Sequence, residues 1–597
     1  MSALLLWAWL FTLPGLLLTA LGVGRRPGAA SQGGPPVMLI VALAALATGA
    51  HAEYEIANWL PFLPDGAFHL RVDPLSAVML AVIGAVSTCV YVYSLGYMDP
   101  HVEDPDSPER GPNVRRFFCF LDFFLASMAL LVLAGNIAVL LIGWTGVGIS
   151  SFLLISFWNE KPGTLAAGMQ ALAANAIGDA ALLVALVIVP AGCGDLLTLG
   201  TAQCVAGPGG ATLLAWLILI AAAAKSAQGP LYFWLPTAMA GPTPVSALIH
   251  AATMVAAGVY LLTRTHGLLA AAPGVAMATA IIGVLTALGG GILSLQQSNF
   301  KRGLAYSTVS QLGYMFAGVG FGAPFAAMFH LVTHASFKAL LFLTAGVVIH
   351  ALHGREKLSD MGGLRKDLPG AYAAFLVGSL ALIGLPLFSG SFSKDAILEA
   401  AQVHDVLFPL LFGGLFVGVF FTGWYTGRLF FGVFHGPRKY LGPLHEPSGV
   451  MLWPLVPLAV GAVVLGYLEW PVPILSTVLG ETVGHAEAVR PNVNTLIAGA
   501  LGLAGFVFSA WRTGPQPAAL PTPAEAHGVE HETEHYDEPL EPGAAWATWL
   551  ADLSYGIANP IARFQSGHLS RYILVSVLGI AAILLLTLTA QPMTGPR

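Results

Sequence analysis

The segment LILIAAAAKSAQGPLYFWLPTAMAG, residues 217–241, reads as a membrane-spanning helix that is interrupted in its middle. A Gly-Pro pair lies at its centre. Because proline lacks a backbone donor and clashes with the preceding turn, we expect the helix to be broken there. A second segment, LALIGLPLFSGSFSKDAILEA at residues 380–400, has Gly384, Pro386 and Gly390 at its break. Broken helices at matching positions are typical of an inverted repeat with an ion site at mid-membrane depth.

The composition around these segments is that of an integral membrane protein. The chain has 597 residues, of which 56% are hydrophobic and only 9% charged, whereas a soluble domain carries about 25% charged residues. Apolar runs recur from end to end, and a helix needs about 20 residues to cross the hydrocarbon. The alternating strands of a membrane barrel do not appear, so the sequence predicts an all-α polytopic protein with about 16 transmembrane helices. They are predicted at residues 3–23, 36–51, 74–98, 118–134, 137–157, 166–190, 211–240, 243–263, 273–297, 303–321, 325–351, 371–399, 406–432, 450–468, 494–511 and 571–590.

The two broken helices divide the predicted chain into two units of opposite topology. They lie five helices apart, and an odd number of helices per unit inverts the second unit in the membrane. We therefore expect two inverted five-helix repeats, each with a broken helix. A Pro-rich acidic linker and a short amphipathic helix are predicted before the last span. The expected divisions are 1–117 (helices 1–3), 118–263 (first repeat, helices 4–8), 273–432 (second repeat, helices 9–13), 433–512 (helices 14–15), 513–570 (cytoplasmic linker and amphipathic helix) and 571–597 (helix 16).

Basic residues indicate the orientation, because lysine and arginine are held on the cytoplasmic side of a membrane. Most of the 25 Lys and Arg residues fall in loops on one side when both chain ends are placed outside. The sequence therefore predicts a multi-pass protein of a bacterial inner membrane with periplasmic termini. The first span lacks a basic leader and a small-residue cleavage site, so we expect it to be retained.

Cysteine usage and net charge limit the possible functions. None of the four cysteines forms a C-x-x-C pair, which excludes a metal-cluster cage. Cys193 and Cys204 share one predicted outside loop, where a disulfide and two unconnected thiols are equally compatible with the sequence. The net charge of −6 is spread over loops and implies no nucleic-acid partner.

The segment FHLVTHASFKALLFL, residues 329–343, carries titratable groups through an apolar helix. His330, His334 and Lys338 recur at every fourth residue, so they lie on one helical face. Histidine exchanges protons near neutral pH, and such a line can pass a proton through hydrogen bonds and water. A lone buried histidine is usually a satisfied core residue, but three such groups in register favour a proton relay.

Lysines also lie beside both predicted breaks. Lys225 and Lys394 are within a few residues of them, and a charged, unpaired lysine at this depth costs several kcal/mol. The alternative is that each lysine belongs to a structural ion pair. His250 is a candidate link between the two halves, and Asp395 follows Lys394 directly.

These residues lie in segments that resemble one known family. AKSAQGPLYFWLPTAMAGPTPVSALIHAATMV, KRGLAYSTVSQLGYMF, FHLVTHASFKALLFL and SGSFSKDAIL look like signature segments of the proton-translocating antiporter-like subunits of respiratory complex I, NADH:quinone oxidoreductase, within the Mrp-antiporter superfamily. The length and the C-terminal architecture resemble the distal, chain L type. The resemblance implies that redox chemistry occurs in other subunits, with flavin, iron-sulfur clusters and quinone there and no cofactor in this chain. It implies a proton relay of Lys225, His250, His330, His334, Lys338, Lys394 and Asp395, with Asp179 retained beside it.

The first repeat departs from the family pattern. Thr145 stands where the pattern has glutamate, Ala176 where it has arginine, and Thr237 where it has aspartate. The predicted amphipathic helix is also short, at about 42 Å for about 28 residues. A broken buried ion pair leaves an uncompensated charge, so Lys225 is expected to be neutral or paired with Asp179, and the second repeat to carry the proton alone.

The sequence therefore predicts a subunit that moves protons as part of an NADH:quinone oxidoreductase type assembly. Its expected partners are the lipid bilayer and other membrane subunits, especially a neighbouring antiporter-like one. The alternatives within the superfamily are a membrane subunit of an Mrp-type Na⁺/H⁺ antiporter, a membrane-bound hydrogenase or an inorganic-carbon uptake complex. A scaffold that has lost transport is the alternative of another class.

Overall fold

The computed structural model describes residues 1–21, 28–57, 59, 67–98, 110–189, 193–201, 204, 210–402, 408–484 and 492–512. The predicted linker, amphipathic helix and sixteenth span lie outside these residues. In the first part of the chain the helices are α1 Ser2–Leu5, α2 Leu13–Ala20, α3 Gly34–Ala47, α4 Pro74–Tyr97, α5 Arg110–Leu133, α6 Ile137–Ile155 and α7 Thr164–Ile188.

The helices of the middle part are α8 Gly210–Lys225, α9 Trp234–Thr237, α10 Thr243–Ala251, α11 Ala256–Arg264, α12 His266–Ala270, α13 Pro273–Gln296, α14 Phe300–Gly320, α15 Pro324–Ala351, α16 Pro369–Ile383, α17 Ser389–Ala400 and α18 Phe408–Phe434. The last described helices are α19 Gly449–Leu452, α20 Leu455–Val464, α21 Ile474–Val483 and α22 Val493–Arg512. Two strands, β1 Ala52–Ile56 and β2 Phe68–Val72, pair antiparallel.

The described helices confirm a polytopic, predominantly α-helical membrane protein. Eleven of the described helical segments are long and apolar enough to cross a bilayer, and four shorter apolar helices accompany them. Helix α15 lies at the centre, since its candidate span is buried from end to end. Helices α16 and α17, which pack against it, and helix α8 are shorter, as expected for spans interrupted in the membrane.

Both expected interruptions are present. Helix α8 ends at Lys225, and regular structure resumes at Trp234 in α9. Helix α16 ends at Ile383, where Gly384 adopts a left-handed conformation with φ of +76°. Glycine has no Cβ and tolerates this conformation, so it ends a helix without steric cost. The breaks leave backbone groups without helical partners beside the two lysines.

Helix α14 approaches α13 closely through small residues. A Cβ on Gly283 would lie 2.4 Å from the Ala317 nitrogen, and a Cβ on Gly313 would lie 2.5 Å from the Ala287 nitrogen. Such contacts between glycine faces are how membrane helices approach one another closely. Helix α14 also packs against α15 and α18, where its Ser307 and Gln311 side chains contact Lys338 and Tyr425.

Several predicted elements differ in the structure. The span predicted at 243–263 is divided into α10 and α11, because the Thr253 hydroxyl donates to the Leu248 carbonyl at 2.6 Å and replaces a helical backbone bond. The span predicted at 3–23 consists of the short helices α1 and α2 with a 3₁₀ turn between them. Pro14 fits only near the start of α2, which separates the two pieces.

Two elements were not predicted at all. The strands of the β1–β2 hairpin have five residues each and include charged side chains, so they do not resemble membrane spans. Helix α21, ten residues long, lies between two predicted spans.

The span predicted at 450–468 is divided into α19 and α20 at Trp453 and Pro454.

Candidate functional site

The three predicted relay residues of α15 lie together in the protein interior. His330 and Lys338 are fully buried, and His334 is 1% exposed. The ring centroids of His330 and His334 are 6.2 Å apart. Both imidazoles are near enough to the Lys338 ammonium for charges to interact. The structure thus places the three groups in one electrostatic cluster, as the sequence spacing predicts.

Lys338 hydrogen-bonds across to α14. Its ammonium donates to the Ser307 hydroxyl at 2.6 Å. The Tyr425 hydroxyl on α18 lies beside this Ser307 hydroxyl. The Gln311 side-chain nitrogen, one turn along α14, donates to the same Tyr425 hydroxyl at 3.2 Å. Tyr425, fully buried, therefore joins the Lys338 side of the cluster to Gln311.

The other side of Gln311 fixes the state of His330. Its amide oxygen lies 3.3 Å from His330 Nε2 and can only accept, so in the neutral ring Nε2 carries the proton. His330 Nδ1 is then the acceptor, and it lies 3.0 Å from the Ser393 hydroxyl on α17. The Thr333 hydroxyl is 2.7 Å from Ser393 and completes this end. The atom of His330 that can take up a proton therefore faces α17, where Lys394 lies.

Lys394 lies beside the second helix break and contacts what the break exposes. Its ammonium donates to the Leu382 carbonyl at 2.9 Å, one of the last carbonyls of α16, which lack helical partners. The same ammonium lies 5.4 Å from the centre of the Tyr314 ring. The neighbouring Asp395 carboxylate accepts from the Thr495 hydroxyl of α22. Lys394 is 2% exposed, and its charge acts on both His330 and Lys338.

His250 lies at the other end of the cluster. It is fully buried near the end of α10, and neither ring nitrogen has a partner among the described residues. The adjacent Ala251 carbonyl, left without a helical partner where α10 ends, lies near the His334 ring. The two histidines thus meet at the division between α10 and α11. This meeting point could not be found from sequence, which predicts one continuous span there.

The site at the first break is organised differently. The Lys225 ammonium donates to the Trp144 carbonyl of α6 at 2.9 Å and lies 5.3 Å from the centre of that indole ring. Gly148 allows this approach, since a Cβ there would lie 3.2 Å from the ammonium. Asp179 on α7 lies near both the Lys225 ammonium and the Thr145 hydroxyl. Thr237 is bonded within α9, to the Trp234 carbonyl at 2.9 Å.

Sequence reasoning missed Ser307, Gln311 and Tyr425. A signal was available on α14, where Ser307, Ser310, Gln311 and Tyr314 follow the i, i+3, i+4, i+7 pattern of one helical face. Polar residues at that spacing inside a span mark a polar stripe. Tyr425 had no such signal, because it is one aromatic residue in an aromatic-rich helix.

Ionic contacts and a disulfide hold one end of the first half of the protein together. Arg71 of β2 forms a two-point contact with Asp195, at 2.8 and 2.6 Å, and donates to Glu53 at 2.7 Å. Burial alone would raise the pKa of Asp195, but the hydrogen bonds from Arg71 and from the Leu197 N–H hold it below its ordinary value. Cys193 and Cys204 of the same loop are joined by a disulfide.

Comparison with known proteins identifies the class. Residues 134–422 match the family model described as NADH:quinone oxidoreductase/Mrp antiporter, TM, and residues 62–118 match NADH-Ubiquinone oxidoreductase (complex I), chain 5 N-terminus. NADH-quinone oxidoreductase subunit L of Mycobacterium tuberculosis is 38% identical over 574 residues, which is 90% of this chain and 89% of the relative. Subunit L of Escherichia coli is 43% identical over 454 residues, 74% of this chain and 71% of the relative.

A solved structure agrees with these relatives. The Mrp complex of Dietzia sp. superposes with a TM-score of 0.77 at 26% identity, covering 100% of this chain and 64% of that one. Fold and site therefore define a polytopic membrane protein of the proton-translocating antiporter-like class. The chain belongs to the family of subunit L and chain 5 of NADH:quinone oxidoreductase, complex I. It is a multi-pass inner-membrane subunit of an NADH:quinone oxidoreductase type assembly.

Proposed function

We propose that this subunit moves protons through the cluster around the second helix break, from His250 past His334 and Lys338 to His330 and Lys394. The carrying observation is the series of contacts from Lys338 through Ser307 and Tyr425 to Gln311 and His330. It connects α14, α15 and α18 in the protein interior, and the Ser393 hydroxyl beside His330 adds α17.

Each kind of group has a distinct role in this proposal. Lysine and histidine hold the proton, because their nitrogens can be charged or neutral. Ser307 and Tyr425 pass it, since a hydroxyl both donates and accepts. The Gln311 amide conducts no proton and is a positioning residue, which fixes the tautomer of His330 so that Nδ1 faces Ser393. Water bridges the remaining steps, because a bridging water is nearly as favourable as a direct bond.

The first break contributes less in this proposal. A switch needs a carboxylate that approaches and leaves the lysine, and Thr145 supplies only a hydroxyl, which lies near Asp179. Lys225 is directly bonded to a backbone carbonyl, whose charge does not change. We therefore expect Lys225 and Asp179 to form a fixed pair of neighbours and the second repeat to carry the transported proton.

The finer architecture belongs to the same proposal. We expect 16 spans with both termini periplasmic, arranged as two inverted five-helix repeats, and a neighbouring antiporter-like subunit beside the first repeat. The position of this neighbouring subunit is supported by α7, where the apolar side chains of Leu183, Val184 and Val187 are exposed together. A membrane subunit of an Mrp-type antiporter is the second candidate, favoured by the likeness to the Mrp complex. Identification of the subunits that co-purify with the chain separates the two.

The decisive test is Lys338→Ala in the native complex reconstituted in vesicles. We expect NADH-driven proton uptake to fall to background while assembly is retained, because a neutral methyl cannot hold the proton between His250 and His330. Lys439→Ala is the matched control, since this partly exposed lysine only donates to the Leu358 carbonyl at 3.3 Å. Wild-type pumping by Lys338→Ala would show that the cluster does not carry the proton.

A further inference from the structure

The ends of three helices meet on one side of the protein, about two turns from His250. Tyr97 is the last residue of α4, Thr243 the first of α10, and His350 the second-last of α15. The hydroxyls of Tyr97 and Thr243 are 3.4 Å apart. The rings of Tyr97 and His350 are 6.1 Å apart, and those of His350 and His445 are 4.9 Å apart. The seam formed by α4, α10 and α15 thus begins with two imidazoles and two hydroxyls.

Exposure falls steadily along this seam. His445, His350 and Tyr97 are partly exposed, whereas Thr243 and every further residue of α10 are buried. The distribution of basic loops predicts this side to be cytoplasmic. The seam therefore starts at a water-accessible end and leads into the protein interior.

One face of α10 continues the line of polar groups. Thr243, Ser246 and His250 are at i, i+3 and i+7, so they lie within about 60° of one another around the helix and span about 10 Å of depth. The Tyr93 hydroxyl reaches the same level, because Gly346 has no side chain: a Cβ there would lie 2.5 Å from that hydroxyl and 2.9 Å from the Thr243 methyl. The seam is thus lined by hydroxyl groups down to His250.

Two of these groups have no protein partner. The Ser246 hydroxyl and both ring nitrogens of His250 are buried, and they contact no hydrogen-bond partner among the described residues. Buried polar groups are almost always hydrogen-bonded, to protein or to ordered water. Some hydroxyls in other helices bond to their own backbone, as Thr308 does to the Leu304 carbonyl at 3.1 Å. Ser246 does not, so its hydroxyl is available to water in the seam.

We propose that protons enter the relay along this seam, from His350 and His445 past Tyr97, Thr243 and Ser246 to His250. Each transfer moves one proton from a water, hydroxyl or imidazolium to the next oxygen or nitrogen, and water at the exposed end restores the donor. At the inner end His250 adjoins Ala251, whose carbonyl lies near the His334 ring, so the proton arrives where the proposed relay begins. The inference rests on the proposed function and adds its point of entry.

The first test compares Thr243→Val and Ser246→Val in the whole complex. Both remove a hydroxyl, and the valine methyls also exclude water. We expect NADH-driven pumping to fall several-fold for each, with wild-type quinone reduction under uncoupled conditions. Thr308→Val, the matched control with a hydroxyl satisfied inside its own helix, should pump as wild type. Wild-type pumping by both seam variants would overturn the entry route.

The second test measures water access directly and remains valid if a valine variant fails to assemble. Cys89 and Cys119, the free cysteines of the described part of the chain, are first replaced by serine. Ser246→Cys is then exposed to a small charged thiol reagent from the predicted cytoplasmic side. We expect labelling many-fold faster than for Thr308→Cys, and equal rates would overturn the proposal. Lys338→Ala separates a failure of the entry route from a failure of the relay. If Lys338→Ala loses pumping while the seam variants pump normally, only the entry route is rejected. If Lys338→Ala still pumps, the relay itself is rejected.

Discussion

The two helix breaks use the same local arrangement in different surroundings. At each, a buried lysine donates to a backbone carbonyl at 2.9 Å and lies over an aromatic ring: Lys225 with Trp144, and Lys394 with Leu382 and Tyr314. What differs is the next layer of groups. Lys225 faces one carboxylate, whereas Lys394 adjoins a network of hydroxyls and imidazoles. The comparison teaches that a lysine beside a break does not by itself make a proton path.

The surroundings differ because of the helices packed against each break. Helix α14 presents a polar stripe toward α17, and α18 adds the Tyr425 hydroxyl. At the first break the facing helix α6 offers Gly148 and the Trp144 carbonyl, with Thr145 turned to Asp179. A backbone carbonyl can hold an ammonium in place, but it cannot take its proton.

The largest expected difference between the breaks is seen on removing the lysines. Lys394→Ala should reduce pumping in vesicles to background, because it removes the proton-holding group next to His330. Lys225→Met should reduce pumping by less than about twofold, because the transported proton is not expected to pass the first break. A twofold change corresponds to only about 0.4 kcal/mol in a barrier. Lys161→Met is the control at the protein surface, where this lysine lies over Trp158. An equal loss for both variants would mean that the first repeat also conducts.

Removal of the Tyr425 hydroxyl tests the network that connects Lys338 to His330. Tyr425→Phe should slow pumping by about tenfold, because a lost buried hydrogen bond of about 1–1.5 kcal/mol corresponds to that factor if it acts on the transfer step. Tyr314→Phe is a matched control, because that hydroxyl donates to the Leu415 backbone carbonyl at 2.6 Å, which cannot pass a proton on. Pumping rates at saturating NADH provide the measurement. Equal rates for the two variants would contradict a role for Tyr425.

Adding a carboxylate to the first break tests what distinguishes it from the second. Thr145→Glu places a carboxylate near Lys225, which the first break lacks. We expect pumping in this variant to become sensitive to Lys225→Met, with a loss greater than the same change causes in the natural sequence. Thr145→Gln, similar in shape but uncharged, should leave that sensitivity unchanged. If Glu and Gln behave alike, the absent carboxylate is not what distinguishes the two breaks.

The smallest expected effect concerns the contact between Asp195 and Arg71, in the loop that the Cys193–Cys204 disulfide closes. The pKa of Asp195 is lowered in the folded protein, so its contact with Arg71 stabilises above the unfolded pKa of about 3.9 and is lost as pH falls through the folded value. Asp195→Asn should cost about 1 kcal/mol near neutral pH. Its Tm in detergent should lie below that of wild type at pH 7, and the gap should narrow at acid pH. A gap that widens on acidification would contradict this assignment.

Much of the candidate site could be predicted from the sequence. The membrane class follows from composition, the two breaks from Gly and Pro inside apolar runs, and the clustering of His330, His334 and Lys338 from helical spacing. Each of these is a local property, since it depends only on residues within a few turns of one another. For the same reason the substitution at Thr145 already indicated an altered first break.

Only the tertiary structure decided which groups meet across helices. That Tyr425 joins Ser307 to Gln311, that Lys225 is held by the Trp144 carbonyl, and that α10 ends beside His334 depend on packing between distant segments. The disulfide between Cys193 and Cys204, left open by the sequence, likewise depends on how the loop folds. Helical periodicity fixes the direction of a side chain around its own axis, but the rotation and depth of the neighbouring helix come from close packing of small residues, as between α13 and α14.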